Sequence, residues 1–216
     1  MTFTTEQEVF WAGEFGNEYM ERNQGEVLLA SNLNFYSKAL RQVPGLESCI
    51  EFGAKVGMDL HALNLLRSGI EQHAIGINAN AAVKLREILP PQNVYNAAIL
   101  QHDVNRTFDL ALIRGVLIHI NPEGLATVYE KLHRSAGKYL VICEYFNPTP
   151  VTIEYRGYKD RLFKADFCGE MLDRYPIWSW LISDSTTTAI RRSCAKTAPG
   201  SRYARRADVA TLRLRY

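Results

Sequence analysis

The chain has 216 residues, of which 47% are hydrophobic and 22% charged, which fits one ordinary globular core and not obviously two. It contains no run of eighteen apolar residues, which excludes a membrane span, and its four cysteines lack ligand spacing, so no metal site is expected. The net charge of +2 is uneven: residues 1–176 carry 17 Lys/Arg and 21 Asp/Glu, while residues 177–216 carry 8 and 2, so the main body lacks the basic surface of a nucleic-acid binder.

Two helices are predicted at the N-terminus. Thr5 followed three residues later by Glu8 has the form of a capping box, which predicts a helix from near Thr5 to about Arg22. A second amphipathic helix is predicted over Glu26–Val43, before a Pro-Gly pair that ends it. Residues 1–46 are therefore expected to form an N-terminal helical cap.

Short apolar runs alternate with amphipathic ones across residues 47–176. The predicted strands are Ser48–Phe52, His73–Ile77, Val94–Ala97, Phe108–Ile113 and Tyr139–Tyr145. The predicted helices are Met58–Leu66, Ala79–Leu89, Glu123–Ser135 and a last one from about Lys164 to Arg174. This alternation indicates an α/β, Rossmann-like domain with a mostly parallel sheet and helices on both faces.

The turn after the first predicted strand is the strongest candidate for a ligand site. Glu51, Gly53, Ala54 and Gly57 belong to a Glu-x-Gly-x-x-x-Gly segment between a strand and a helix, where open α/β sheets bind ligands. A dinucleotide fold would need GxGxxG and a P-loop would need Gly-Lys-Ser/Thr, and both are absent, since Lys55 stands between the two glycines. The segment resembles motif I of class I methyltransferases, which bind S-adenosyl-L-methionine, although any tight turn of this kind has similar glycines.

Two further positions extend the predicted cofactor site. Asn78 ends the second strand about 25 residues after Gly53, where folds of this kind place a side chain against ribose hydroxyls. The usual residue there is Asp or Glu, and Asn offers only one acceptor oxygen, which predicts weaker binding. Ile99 follows the third strand, where an adenine would stack on apolar side chains.

The fourth predicted strand also resembles a methyltransferase pattern. Asp109 opens it, and Arg114 and His119 follow within the run RGVLIHI. By this resemblance Arg114 contacts the cofactor and His119 faces the donor methyl group. Alternatively, His119 caps the next helix.

Three longer blocks give a narrower resemblance. FWAGEFGNEY from Phe10, EYFNPTP from Glu144 and YRGYKDRLFK from Tyr155 are similar to the methylases associated with pseudaminic acid biosynthesis. The resemblance covers residues 5–176 and lies largely outside the generic cofactor motifs. It implies a class I methyltransferase fold and a bacterial enzyme acting on a pseudaminic (nonulosonic) acid related sugar or glycan precursor. It does not specify the acceptor or the oligomeric state. Cysteines without a CxxC pair and an N-terminus unlike a signal peptide predict a cytoplasmic location.

The positions and chemistry of several residues are compatible with such a reaction and give the candidate catalytic and substrate-binding residues. His119, Glu144 and Tyr145 come at the ends of strands four and five and are the candidate catalytic group. The candidate substrate-binding residues are Trp11, Tyr19, Tyr155, Arg156, Lys159 and Arg161. For the basic residues the alternative is a solvated loop, and for the N-terminal aromatic residues it is core packing. A non-catalytic binding or scaffold protein of the same fold is the second functional hypothesis.

Residues 177–216 do not fit the pattern of the preceding chain. Class I methyltransferases normally end in a helix and a β-hairpin, and this tail shows neither paired alternation nor a turn signal. When residues 177–190 and 193–200 are translated back with suitable synonymous codons and read one base earlier, they become similar to the family's hairpin. We therefore hypothesise a frameshift near Pro176. The alternative is a divergent or disordered basic tail. The C-terminal hairpin is therefore expected to be lost or irregular.

Overall fold

The computed structural model describes residues 2–183 and 207–214. The helices are α1 (Glu6–Ala12), α2 (Glu14–Arg22), α3 (Glu26–Ala39), α4 (Met58–Leu66), α5 (Ala79–Ile88), α6 (Leu125–Ser135) and α7 (Phe167–Arg174). The strands are β1 (Ser48–Phe52), β2 (Glu71–Gly76), β3 (Val94–Asn96), β4 (Phe108–Arg114), β5 (Ala136–Tyr145), β6 (Val151–Tyr155), β7 (Tyr158–Lys164), β8 (Trp178–Ser183) and β9 (Ala207–Leu214).

Seven strands form the central sheet in the order β3-β2-β1-β4-β5-β9-β8. The pairs among β1 to β5 are parallel, and β9 is antiparallel to both of its neighbours. This confirms the predicted Rossmann-like, mostly parallel sheet. Because the order reverses between β1 and β4, the carboxyl ends of these two strands border a crevice where a ligand can enter.

The C-terminal hairpin strands are present, which corrects the prediction that they are lost. β9 pairs with β5 over seven residue pairs, from Tyr139 opposite Arg213 to Tyr145 opposite Ala207, and so satisfies the backbone groups of β5. Within the described residues the pairing is irregular between Trp180 and Ile182, where the register of β8 against β9 shifts. Residues 184–206, which belong to the hypothesised frameshifted stretch, lie outside the described residues, and the frameshift stays a hypothesis.

Helices cover both faces of the sheet, as the alternating pattern predicts. In β4, Leu110 and Leu112 point to the face covered by α3, α4 and α5, whereas Ala111 and Ile113 point to the face covered by α6 and α7. All four side chains are fully buried. The site at the edge of the sheet therefore rests on a rigid, two-sided core.

The N-terminal helix is divided, whereas the sequence predicts one continuous helix from Thr5 to Arg22. The predicted capping box at Thr5 and Glu8 is present and starts α1. Gly13 adopts an extended conformation, with φ −92° and ψ −153°, and separates α1 from α2. This break lets the two helices fold over the carboxyl edge of the sheet.

The segment between β5 and α7 forms a β-hairpin, β6–β7, which the sequence prediction missed. Its turn consists of Arg156 and Gly157, both with positive φ, as a two-residue turn of type I′ requires. The hairpin is tied to α1 because Gln7 Nε2 donates to the Asp160 carbonyl at 2.9 Å. α7 begins at Phe167, three residues later than predicted.

Among the described residues, no helix is both long and apolar enough to cross a membrane.

Candidate functional site

A cavity of about 120 Å³ lies at the carboxyl ends of β1, β2 and β3, beneath α1 and α2. The sheet side of its wall is formed by Gly53, Gly76, Ile77, Asn78, Ile99 and Leu100. The helical side is formed by Trp11, Gly16, Tyr19 and Met20. We call this space the adenosyl-side cavity because the sequence predicts adenosine contacts on its walls.

A second cavity, of about 310 Å³, adjoins the first. We call it the acceptor-side cavity. Tyr19, Lys55, Gly115 and His119 line both cavities, so the two share a border. The second cavity is more polar, with walls that include Asn32, Asp59, Arg114, Glu144, Tyr145 and Tyr155.

The two glycines of the β1 turn have different roles. Gly53 has φ +82°, and a Cβ there would overlap the side chain of Val116, so only glycine fits beside the adenosyl-side cavity. Gly57 has φ +78° and caps α4, and a Cβ there would lie 2.7 Å from Ile88 Cδ1. Gly57 therefore allows the turn to pack on α5, and it lines neither of the two cavities.

Below the turn lies a buried network of charged groups. Arg114 Nη1 donates to Asp59 Oδ1 and to Asn32 Oδ1, both at 2.6 Å. Glu51 is 2% exposed, and burial, together with the nearby Asp59, raises the pKa of its carboxyl well above the usual value. Glu51 does not line either cavity, and its predicted role in cofactor binding stays a prediction, whereas Arg114 and Ala54 line the acceptor-side cavity.

Asn78 is held by the protein itself at both of its polar atoms. Its Oδ1 accepts from Ala81 N at 3.0 Å and caps α5. Its Nδ2 donates to Asn17 Oδ1 at 2.9 Å and to the Ala12 carbonyl at 3.3 Å. Asn78 thus joins the N-terminal helices to the sheet, and its predicted contact with ribose stays a prediction.

His119 is fixed in one orientation at the border of the two cavities. Its Nδ1 donates to the Arg161 carbonyl at 2.6 Å, which leaves Nε2 as an acceptor. The rings of Trp11 and Tyr155 lie 4.6 and 5.1 Å from it between centroids. Burial lowers the pKa of His119 to about 4, so the ring is neutral at pH 7.

Glu144 accepts backbone hydrogen bonds from the turn that follows β4. Its Oε1 accepts from Val116 N at 2.9 Å and from Leu117 N at 3.0 Å. Burial raises the pKa of Glu144 to about 7, although these backbone hydrogen bonds act in the opposite direction. The carboxylate therefore positions the segment that carries His119.

The predicted aromatic residues lie together around His119. The ring centroids of Trp11 and Tyr19 are 5.1 Å apart, and Tyr155 lines the acceptor-side cavity. Trp11 Nε1 is buried without a hydrogen-bond partner among the described residues, so it can serve a ligand. Tyr145 is 38% exposed, at the rim of the acceptor-side cavity, with Lys164 Nζ 5.4 Å from its ring centroid.

The structure does not bring the predicted basic residues to the walls of these cavities. Arg161 Nη2 pairs with Glu6 Oε2 at 3.0 Å and its guanidinium lies over the Phe10 ring, so it joins β7 to α1. Arg156 occupies the exposed hairpin turn and Lys159 the exposed start of β7. Their role in substrate binding stays a prediction.

Two residues were missed in the sequence prediction. Gly76 lines the adenosyl-side cavity, and a Cβ there would meet no atom within 4 Å. Lys55 lines both cavities with its ammonium group over Gly115. The signal for Lys55 was its place between the two glycines of the β1 turn.

No family model matches the chain, and no curated protein matches it. The chain does match solved structures. The magnesium protoporphyrin IX methyltransferase of Synechocystis PCC 6803, with bound SAM, aligns over 100% of both chains with a TM-score of 0.61 and 14% identity. The 1,6-didemethyltoxoflavin-N1-methyltransferase of Burkholderia thailandensis, with bound 1,6-didemethyltoxoflavin and S-adenosylhomocysteine, aligns over 99% of this chain and 92% of that one, with a TM-score of 0.67 and 14% identity.

A third structure is longer than this chain. Mitomycin 7-O-methyltransferase aligns over 98% of this chain with a TM-score of 0.65 and 11% identity, and this chain spans 61% of its length. At these identities the likeness defines the fold. The protein has the fold of the class I methyltransferases.

Proposed function

We propose that this protein is an S-adenosyl-L-methionine-dependent methyltransferase that acts on a small-molecule acceptor in the cytoplasm. The observation that carries the proposal is the covered cleft at the carboxyl ends of β1, β2 and β3, next to the glycine turn that the sequence singles out. The structural neighbours with bound SAM or S-adenosylhomocysteine support the same cofactor.

The residues of the cleft fit this cofactor. Gly53 and Gly76 present backbone without side chains on the cavity wall, so a flat nucleoside can approach the main chain closely. Ile99 and Leu100 offer an apolar surface for an adenine ring, and Trp11 Nε1 offers a donor that the protein itself does not use. Tyr19 and Lys55, at the border of the two cavities, would face the amino-acid end.

When bound, the cofactor supplies an electrophilic methyl group on a sulfonium. The acceptor atom must be held in line with it, and alignment of this kind can supply much of the rate enhancement. Neutral His119 can accept a hydrogen bond at Nε2 from an acceptor hydroxyl or amine and so orient it. Since its pKa is about 4, His119 is a weak base and mainly positions the acceptor.

For the acceptor, we propose a sugar of the nonulosonic acid type. The sequence resemblance to pseudaminic acid-associated methylases carries this finer proposal. The mixed aromatic and polar wall of the acceptor-side cavity, with Tyr145, Tyr155 and Arg114, is compatible with a sugar that bears hydroxyl and charged groups. The exposed Arg156 and Lys159 on the β6–β7 hairpin would then act in capture of an anionic substrate from solution.

Calorimetry with S-adenosylhomocysteine tests the proposed cofactor site. Gly76→Leu places a side chain in the adenosyl-side cavity without backbone strain, and Ala79→Leu adds the same side chain at an exposed position nearby. We expect the parent and Ala79→Leu to bind alike and Gly76→Leu to bind about 10- to 100-fold more weakly. A folded parent that does not bind S-adenosylhomocysteine would overturn the proposal.

The second candidate is a non-catalytic binding protein of the same fold. The structure offers one observation in its favour: the polar atoms of Asn78 and the carboxylate of Glu144 are engaged within the protein. Binding of S-adenosylhomocysteine without methyl transfer to any nonulosonic acid tested would favour this candidate. Methyl transfer detected by mass spectrometry would exclude it.

A further inference from the structure

Lys55 adopts a backbone conformation that is costly for its residue type. It has φ +53°, in the left-handed region, between the two glycines of the β1 turn. A residue with a Cβ in this region costs about 1–2 kcal/mol, and such costs concentrate at functional sites. Three residues of this turn have positive φ, and the other two, Gly53 and Gly57, are glycines. Lys55 is therefore the one of the three whose side chain makes this conformation costly.

The ammonium group of Lys55 is incompletely paired. Among the side chains that the structure describes it forms no ion pair, unlike Arg114, which is paired with Asp59. Its hydrogen bond to the Arg114 carbonyl is long at 3.4 Å, and the Tyr19 ring centroid lies 5.6 Å away. A lysine has three donors, so donors remain for a ligand.

The group also lies at the centre of the site. Lys55 lines both cavities, and it acts on the pKa of His119 in the same direction as burial, which is the larger cause of the lowered value. Burial lowers the pKa of Lys55 itself, but the nearby Tyr19, Asp59 and Glu51 outweigh it and raise that pKa, so the group is cationic at pH 7. A cation at this border attracts an anionic ligand group.

We propose that Lys55 is a carboxylate-binding residue of this site. The inference rests on the proposed methyltransferase function and adds a charge requirement to it. The carboxylate belongs either to the amino-acid end of the cofactor, reached from the adenosyl-side cavity, or to an acidic acceptor in the acceptor-side cavity. In both cases an ammonium-to-carboxylate hydrogen bond replaces the long bond to the Arg114 carbonyl.

The test compares the parent with Lys55→Met, which removes the charge and keeps a side chain of similar length. Lys38→Met, at an exposed position on α3, is the matched control. One arm measures the affinities of S-adenosylhomocysteine and of its decarboxylated analogue. The other arm measures N-acetylneuraminic acid and its methyl ester in the presence of saturating S-adenosylhomocysteine.

We expect the parent and Lys38→Met to prefer the carboxylated ligand by about 10- to 100-fold in one of the two arms, and Lys55→Met to lose that preference. The arm that changes identifies the source of the carboxylate. The same preference in the parent and in Lys55→Met in both arms, or no preference at all, overturns the inference. A folded parent that fails to bind S-adenosylhomocysteine contradicts the proposed function instead.

Discussion

The site has two walls that are built in different ways. The sheet wall is formed by the main chain at the ends of β1, β2 and β3, where Gly53 and Gly76 leave room against the backbone. The opposite wall is formed by the side chains of α1, α2 and the β6–β7 hairpin, with Trp11, Tyr19 and Tyr155 around His119.

The sheet wall follows from the fold, whereas the side-chain wall follows from residues of this particular chain. The sheet wall depends on the strand order of a fold that the protein shares with methyltransferases only 11–14% identical to it. The side-chain wall depends on aromatic residues and on the ion pair between Glu6 and Arg161, which holds α1 against the hairpin. We therefore expect changes in the sheet wall to affect stability and cofactor binding, and changes at Tyr155 and the β6–β7 hairpin in the other wall to affect acceptor binding.

The largest effect on stability is expected from a substitution of Gly53. Gly53→Ala should destabilise the protein by about 3 kcal/mol, since the alanine adds left-handed strain and an overlap with Val116. Gly69→Ala is the matched control, because Gly69 has φ +89° and open space around it. Urea denaturation should show about 1 kcal/mol for the control, which reports the backbone cost alone.

A second variant separates the two causes at Gly53. Adding Val116→Ala to Gly53→Ala should recover part of the lost stability, because it removes the overlapping methyl groups and leaves the backbone strain. Equal losses in Gly53→Ala and Gly69→Ala would show that Val116 does not restrict the turn.

The next largest effect is expected on the pH dependence of the unfolding free energy, through the carboxyl group of Glu144. Its pKa is about 7 in the folded protein and lower when unfolded, so the folded state holds the proton more tightly. The stabilising contribution is therefore complete below the unfolded pKa of about 4.3 and is lost as pH rises through 7, a change of about 3 kcal/mol. Glu144→Gln, which does not titrate, should show a smaller decline in unfolding free energy over this range.

Glu144→Ala provides the contrast for this pH measurement. It removes the acceptor for Val116 N and Leu117 N together with the titrating carboxyl, so its cost of about 3 kcal/mol near pH 4.5 should shrink as the pH rises through 7. Parallel stability curves for the parent and Glu144→Gln between pH 4.5 and 7 would contradict the raised pKa.

The sheet wall was the part that the sequence could predict. The bounds of β1 and α4 agree with the structure at both ends, because a buried apolar run, two glycines and an amphipathic run follow each other directly along the chain. The structure confirms the parallel sheet for the same reason. The C-terminal strands were missed, because β9 pairs with β5 more than sixty residues away and no local turn signals this pairing.

The side-chain wall was less predictable, because its contacts are distant in sequence. The type of turn at Arg156 and Gly157 could have indicated the β6–β7 hairpin, since glycine favours positive φ there. By contrast, nothing near Glu144 indicates that its partners are backbone groups 27 and 28 residues away. Likewise, nothing in the sequence around Asn78 indicates that its side-chain amide donates to Asn17 in α2.

The smallest effect is expected at the ion pair between α1 and the hairpin. Glu6 is largely exposed, so Glu6→Gln should change the unfolding free energy by less than about 0.5 kcal/mol. Glu14→Gln is the matched control, because Glu14 is also an exposed acid in the first turn of a helix and forms no ion pair among the described residues. Comparing the two variants removes the contribution of the helix dipole.

The ion pair should matter more for acceptor binding than for stability. Arg161 is linked to Glu6 by its side chain and to His119 by its carbonyl, so a looser Arg161 also loosens His119, the residue that we propose positions the acceptor. We expect Glu6→Gln to weaken acceptor binding about two- to threefold at unchanged affinity for S-adenosylhomocysteine, an effect of a few tenths of a kcal/mol. If both ligands weaken equally, the two walls do not act separately, and α1 serves the cofactor as much as the acceptor.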